Sequence, residues 1–121
     1  MNINLNNDTI TAIKKIANRL ETLRGLVTVN AYGEVDQWAI IRGARYEREV
    51  ETIAASIGIA NPVGKTQATS DIIRLNEMIA EHRGIVASVA FSDIPADEWL
   101  VAKRTFLENR IAIYAHTLGI A

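Results

Sequence analysis

Three stretches of the chain hold residue types that can do chemistry. Gly64-Lys65-Thr66 sets a cation and a hydroxyl beside a glycine, like the end of a phosphate-cradling loop. Such a loop needs a second glycine five positions before the Gly-Lys pair. Ile59 stands there, and Gly58 falls one residue too early. A helical pattern also precedes the stretch where a strand is required. A milder chemistry survives: Lys65, Thr66 and the free N–H groups of a helix start can hold an anion. The second stretch is Tyr32, Glu34 and Trp38, echoed later by Phe91, Asp93 and Trp99, with Arg42 and Lys103 one turn further on. Aromatic walls backed by a cation suit a ligand pocket; equally, aromatics anchor hairpin ends and acids favour helix starts. The third is His82, and Arg110 with His116, in a chain of only 2 histidines. Neither histidine has the Glu-x-x-His spacing of di-metal bundles, so no metal and no cofactor is expected. His82 lies on an apolar stripe, where a histidine with a hydrogen-bond partner in the core is the expected arrangement.

The elements that position these residues follow from composition and period. A chain of 121 residues, 49% hydrophobic and 22% charged, can bury one core, so a single helical domain over 1–121 is expected. Its 13 basic and 14 acidic residues leave a net charge of −1, against broad nucleic-acid binding, which needs a basic face. There is no cysteine, which removes disulfides and thiolate metal sites. The polar start MNINLNNDT does not read as a signal peptide. No apolar run nears the ~18 residues of a membrane span. A cytoplasmic protein is the expectation.

The chain repeats itself. Arg24-Gly25 aligns with Arg83-Gly84, Ala31-Tyr32 with Ala90-Phe91, and Asp36-Gln37-Trp38 with Asp97-Glu98-Trp99, given a two-residue insertion at Pro95-Ala96. Upstream, Ile13, Ile16 and Leu20 meet Ile72, Leu75 and Ile79, and both halves close on Gly-Ile-Ala. This order of matches points to a tandem duplication, with repeat 1 over 1–60 and repeat 2 over 61–121.

Each half reads as a helical hairpin. Ile13, Ile16, Leu20, Leu23 and Val27 form one stripe at three and four, as do Ile72, Leu75, Ile79, His82, Val86 and Val89. Asn7 or Asp8 can cap the first helix, and Thr66 or Ser70 the third. Arg-Gly is a stop signal, and LVTV and IVASVAF can be short strands; the unbroken stripe favours helix through both glycines, with connections of about four residues. Asp36 and Pro95 suit the starts of the second and fourth helices, and Gly58 and Gly119 their ends. Arg45–Glu49 and Arg104–Glu108 are spaced for i,i+4 pairs on a wet face. Residues 59–66 read as the linker. The sum is an all-α four-helix bundle built from two tandemly duplicated helical hairpins.

The last helix has one apolar face too many. Leu100, Leu107, Ile111, Tyr114 and Leu118 make a core stripe; Trp99, Ala102, Phe106 and Ile113 make a second. The matching second stripe of the earlier helix is Trp38, Ile41, Arg45 and Thr52. A surplus face predicts burial against another protein or a second copy, a dimer being the expected state. The leading expectation is therefore a non-enzymatic binding or assembly module using Trp99, Ala102, Phe106 and Ile113. The alternative is a binder of small anionic, nucleotide-like ligands using Lys65, Thr66, Arg42 and Lys103, with Tyr32, Phe91 and Trp38. The Arg110…His116 pair, six apart near the end, resembles the Arg…His pattern of HEPN-type ribonucleases, which are also small helical bundles. The resemblance covers these two residues only. It implies a metal-free ribonuclease with His116 as acid or base and Arg110 binding phosphate.

Overall fold

The computed structural model describes residues 5–60, 62–63, 67–90 and 98–120. They form four helices: α1 (Asn7–Gly25), α2 (Gln37–Ser56), α3 (Gln67–Ala90) and α4 (Glu98–Leu118). The protein is all-α and compatible with a four-helix bundle; among the described residues the one extended pairing is an isolated bridge between Val29 and Val35. α1 packs on α2, α3 packs on α4, and α1 packs on α3. The backbones of α2 and α4 do not approach along their lengths. The helix order in space is thus α2–α1–α3–α4.

The apolar stripes explain this order. α1 buries Ile10, Ile13, Ile16, Ala17 and Leu20. α3 meets it with Ile72, Ile73, Leu75, Met78, Ile79 and Ile85. The outer helices contribute shorter lines, Val50 and Ala54 from α2 and Leu107, Ile111 and Leu118 from α4. The expected core stripes of the outer helices hold, with Tyr46, Ile53, Ile57, Leu100 and Tyr114 only partly buried.

Two expectations at the helix starts need correction or refinement. α1 is capped by Asn6, one residue earlier than expected, whose Oδ1 accepts from Thr9 N at 2.8 Å. Asp36 caps α2 as expected, accepting from Ala39 N at 3.1 Å. Ser70 lies inside α3, while Thr66, Pro95 and the Phe91–Asp97 stretch lie outside the described residues.

The two Arg-Gly pairs behave differently. α3 runs through Gly84 to Ala90, as expected. α1 stops at Gly25, and residues 26–36 form a longer connection than the four residues expected. The reason is a competing loop that only the first half encodes. Asn30 Oδ1 accepts from Tyr32 N at 2.9 Å and Glu34 N at 3.1 Å; Gly33 supplies φ +79; Thr28 O accepts from Asp36 N at 2.6 Å. An Asn that satisfies its own neighbours' N–H groups offers the backbone an alternative to helix. The β-branched run Val27-Thr28-Val29 resists helix less firmly than a glycine but adds to the same side. Where Asn30 and Gly33 stand, the second half has Val89 and Ser92. Val27 ends exposed instead of buried.

Both outer helices end alike. Gly58 and Gly119 adopt φ +87 and +82. Each glycine N–H bonds the carbonyl three residues back, and the following N–H bonds the carbonyl five back: Ile59 to Ala54 and Ile120 to Ala115, both at 2.9 Å. This two-bond ending needs a left-handed residue, which glycine adopts without strain. The two ends also touch. A Cβ on Gly58 would lie 3.3 Å from the Gly119 oxygen, and one on Gly119 would lie 3.4 Å from the Gly58 oxygen. Gly58→Ala and Gly119→Ala should each lower stability by about 1–2 kcal/mol through strain at positive φ. Gly84→Ala, with nothing within 4 Å of the added Cβ, should raise it by about 1 kcal/mol. Urea unfolding of the three variants checks the opposed signs.

Candidate functional site

The surplus face of α4 stays outside the core. Trp99, Phe106 and Ile113 are 63%, 59% and 58% exposed, and Ala102 is exposed beside them. They recur every seven residues, which keeps them on one side of the helix over a length of about 21 Å. Cations edge the stripe: Lys103 Nζ sits 5.0 Å from the Trp99 ring centroid, and the Arg110 guanidinium lies 5.9 Å from Phe106 and 5.6 Å from Tyr114. The corresponding stripe of α2 is also solvated, with Trp38, Ile41, Arg45 and Thr52 all exposed.

Of the residues expected to grip an anionic ligand, the described ones stand on α2, on α4 and in the α1–α2 loop. Arg42 donates from Nη2 to Tyr46 Oη at 3.1 Å. That bond, opposed by partial burial and helped by the charges of Arg42, Arg19 and Arg45, holds the phenol below its ordinary 10.0. Lys103 pairs with Glu81 at 2.6 Å. Tyr32 is 91% exposed at the tip of the α1–α2 loop, and Trp38 is exposed in the first turn of α2. Lys65, Thr66 and Phe91 lie outside the described residues. Arg110 and His116 are both exposed on α4 and, six residues apart, point about 120° apart round the helix. Among the described residues no group of three or more acidic or histidine side chains could hold a metal ion, and no helix is long and apolar enough to cross a membrane.

His82 does have its core partner. Its Nε2 lies 3.1 Å from Glu108 Oε1, and Arg104 Nε donates to the same oxygen at 3.1 Å. An ionised carboxylate only accepts, so the imidazole presents Nε2–H to it. Glu108 was expected on a wet face and is 4% exposed instead. The i,i+4 pair with Arg104 forms as expected, but α3 covers the carboxylate from the other side. Burial pushes the Glu108 carboxyl up; the hydrogen bonds from His82 and Arg104 outweigh it and hold the group below its ordinary 4.5.

One constellation escaped the reading of single helices. Lys15 and Arg19 on α1 and Arg45 and Arg48 on α2 line one open groove, in which Glu49 forms ion pairs with Arg19, Nε 3.0 Å away, and with Arg45, Nε 3.5 Å away. The available signal was the spacing of three and four within each pair, which places each on one face.

Compared with models of known protein families, with curated proteins and with solved structures, the chain finds no match.

The lowered carboxyl of Glu108 sets a pH dependence. A depressed folded value contributes stability that is present above about pH 4.5 and lost as pH falls through the folded value. The wild-type protein should therefore lose stability below pH 4.5. Glu108→Gln should flatten this acid limb and lower stability at pH 7 by about 2 kcal/mol, since a hydrogen bond to a buried charge is worth 1.5–3 kcal/mol. Denaturation midpoints from pH 3 to 7 test both statements.

Proposed function

We propose that the protein is a non-enzymatic helical module that assembles through the outer face of α4, as a homodimer. The observation that carries this reading is the exposure of Trp99, Phe106 and Ile113 on a helix whose opposite side already fills the core. Each large aromatic can bury on the order of 150–250 Å². A twofold contact uses the same patch on both copies, so every buried ring counts twice. Phe106 lies midway between Trp99 and Ile113, where a twofold axis would set the two Phe106 rings against one another. Lys103 and Arg110 lie against their own aromatic rings, so their charges border the stripe without breaking it.

The module is, on this reading, a helical hairpin copied in tandem. Aligned positions share their depth: Ile13 with Ile72, Ile16 with Leu75, Leu20 with Ile79, Val50 with Ile111 and Ala54 with Ala115 are all buried. The packing pattern is unchanged when the hairpins are exchanged, and the Gly58–Gly119 contact is reciprocal. These features support duplication with an approximate internal twofold axis. The two copies diverged on the outer stripe, where Arg45 and Thr52 stand opposite Phe106 and Ile113.

Phe106→Asp should leave helicity by circular dichroism unchanged and shift the particle mass by light scattering from dimer to monomer. The expected loss of affinity is at least ~30-fold, as for a central interface anchor worth 2 kcal/mol or more. A wild-type monomer at high concentration, or an unchanged mass in the variant, removes the proposal.

A further inference from the structure

The groove between α1 and α2 encloses about 580 Å³ and is lined by Lys15, Arg19, Arg45, Arg48, Glu49 and Thr52. Ile53 adds an apolar patch to the lining. Four cations face one carboxylate here, in a chain whose net charge is −1. The lining therefore carries a local excess of positive charge that the rest of the chain offsets.

The donors are only partly used. Glu49, held between Arg19 and Arg45, shows an anion already accepted by groups from both helices. One carboxylate cannot satisfy two guanidinium forks, each with five N–H donors. Arg45 retains a side chain 75% exposed. Among the described residues Arg48 bonds only the Ala44 carbonyl of its own helix, at 3.4 Å. Lys15 makes no ion pair among the described residues. Arg19 is steadied by the Tyr46 ring, 4.6 Å from its guanidinium carbon, so one fork is preorganised.

We propose that this groove binds a short polyphosphate chain, free or as the tail of a nucleotide. Arginine forks match phosphate oxygens two at a time, and a lysine adds a point charge. A monoanion engages one fork, whereas a di- or triphosphate spans cations on both helices. The volume falls in the ~300–1,000 Å³ range of small-ligand sites. An extended nucleic-acid strand needs a longer basic track. Here the cationic lining gives way to Thr52 and Ile53 further along α2. The site is separate from the α4 stripe and does not rest on it.

Titration calorimetry of the full chain with sodium tripolyphosphate at low salt is the test. Saturable binding of one ion per chain is expected, weakened by added sodium chloride, with orthophosphate at least tenfold weaker. Lys15→Ala and Arg48→Ala should each weaken it about tenfold. Both side chains are exposed, and circular dichroism verifies the fold. Glu49→Gln should act in the opposite direction and tighten binding several-fold, because it removes the resident anion. Phe106→Asp should leave binding unchanged, which separates this site from assembly. ATP binding more tightly than tripolyphosphate assigns a nucleotide; equal affinity assigns the phosphate chain by itself. The inference is overturned by a wild-type protein without saturable binding, by indifference to Lys15→Ala and Arg48→Ala, or by weakening in Glu49→Gln. An octameric oligouridylate that binds more tightly than tripolyphosphate overturns it in favour of a nucleic-acid strand.

Discussion

The seam between α1 and α3 holds this molecule together. The two hairpins join there along their length, and Gly58 and Gly119 also meet. Ile13, Ile16 and Leu20 on one side and Ile72, Leu75, Met78 and Ile79 on the other are almost wholly removed from water. Each such side chain contributes about 2–3 kcal/mol when buried. The outer helices are held to this seam by one line of small and medium residues each. Their outer faces lie outside the core, where Trp38, Ile41, Trp99 and Phe106 stand exposed.

The two hairpins use one polar device in two settings. In the second, Glu108 lies between His82 and Arg104, closed off from solvent. In the first, Glu49 lies between Arg19 and Arg45, at the floor of an open groove. A carboxylate held between two nitrogen partners is structural where water is excluded, since breaking it strands a buried charge. Where water enters, the same arrangement is worth little to stability, because solvent screens it. It then leaves cations within reach of an incoming anion. The difference lies in what α1 and α3 present at the seam's edge. α3 carries Met78, His82 and Ile85 and runs on past its glycine; α1 carries the polar Lys15 and Arg19 and stops.

Much of the fold was legible from local signals. Asp36, Gly58 and Gly119 mark helix ends with chemistry that works over three to five residues, and the apolar stripes gave the buried faces. The surplus stripe of α4 could be read from period alone, and so could the core position of His82. What was not legible depended on competition or distance. The end of α1 at Gly25 is decided by Asn30, whose side-chain bonds offer a rival to the helix that no stripe reveals. The depth of Glu108 depends on His82, 26 residues away, because Arg104–Glu108 spacing is the same on a wet or a dry face. The basic groove requires knowing which side of α1 meets α2. Arg42 and Lys103, which occupy aligned positions, meet different partners, Tyr46 on the same helix and Glu81 on α3.

The reciprocal approach of Gly58 and Gly119 pins α2 and α4 at their last residues. Among the described residues α2 and α4 make no other close backbone approach. A residue lost or gained in the α1–α2 loop would change what that loop presents to the outside without disturbing the pinned pole. In sequence, the one length difference between the two halves, Pro95-Ala96, comes just before α4.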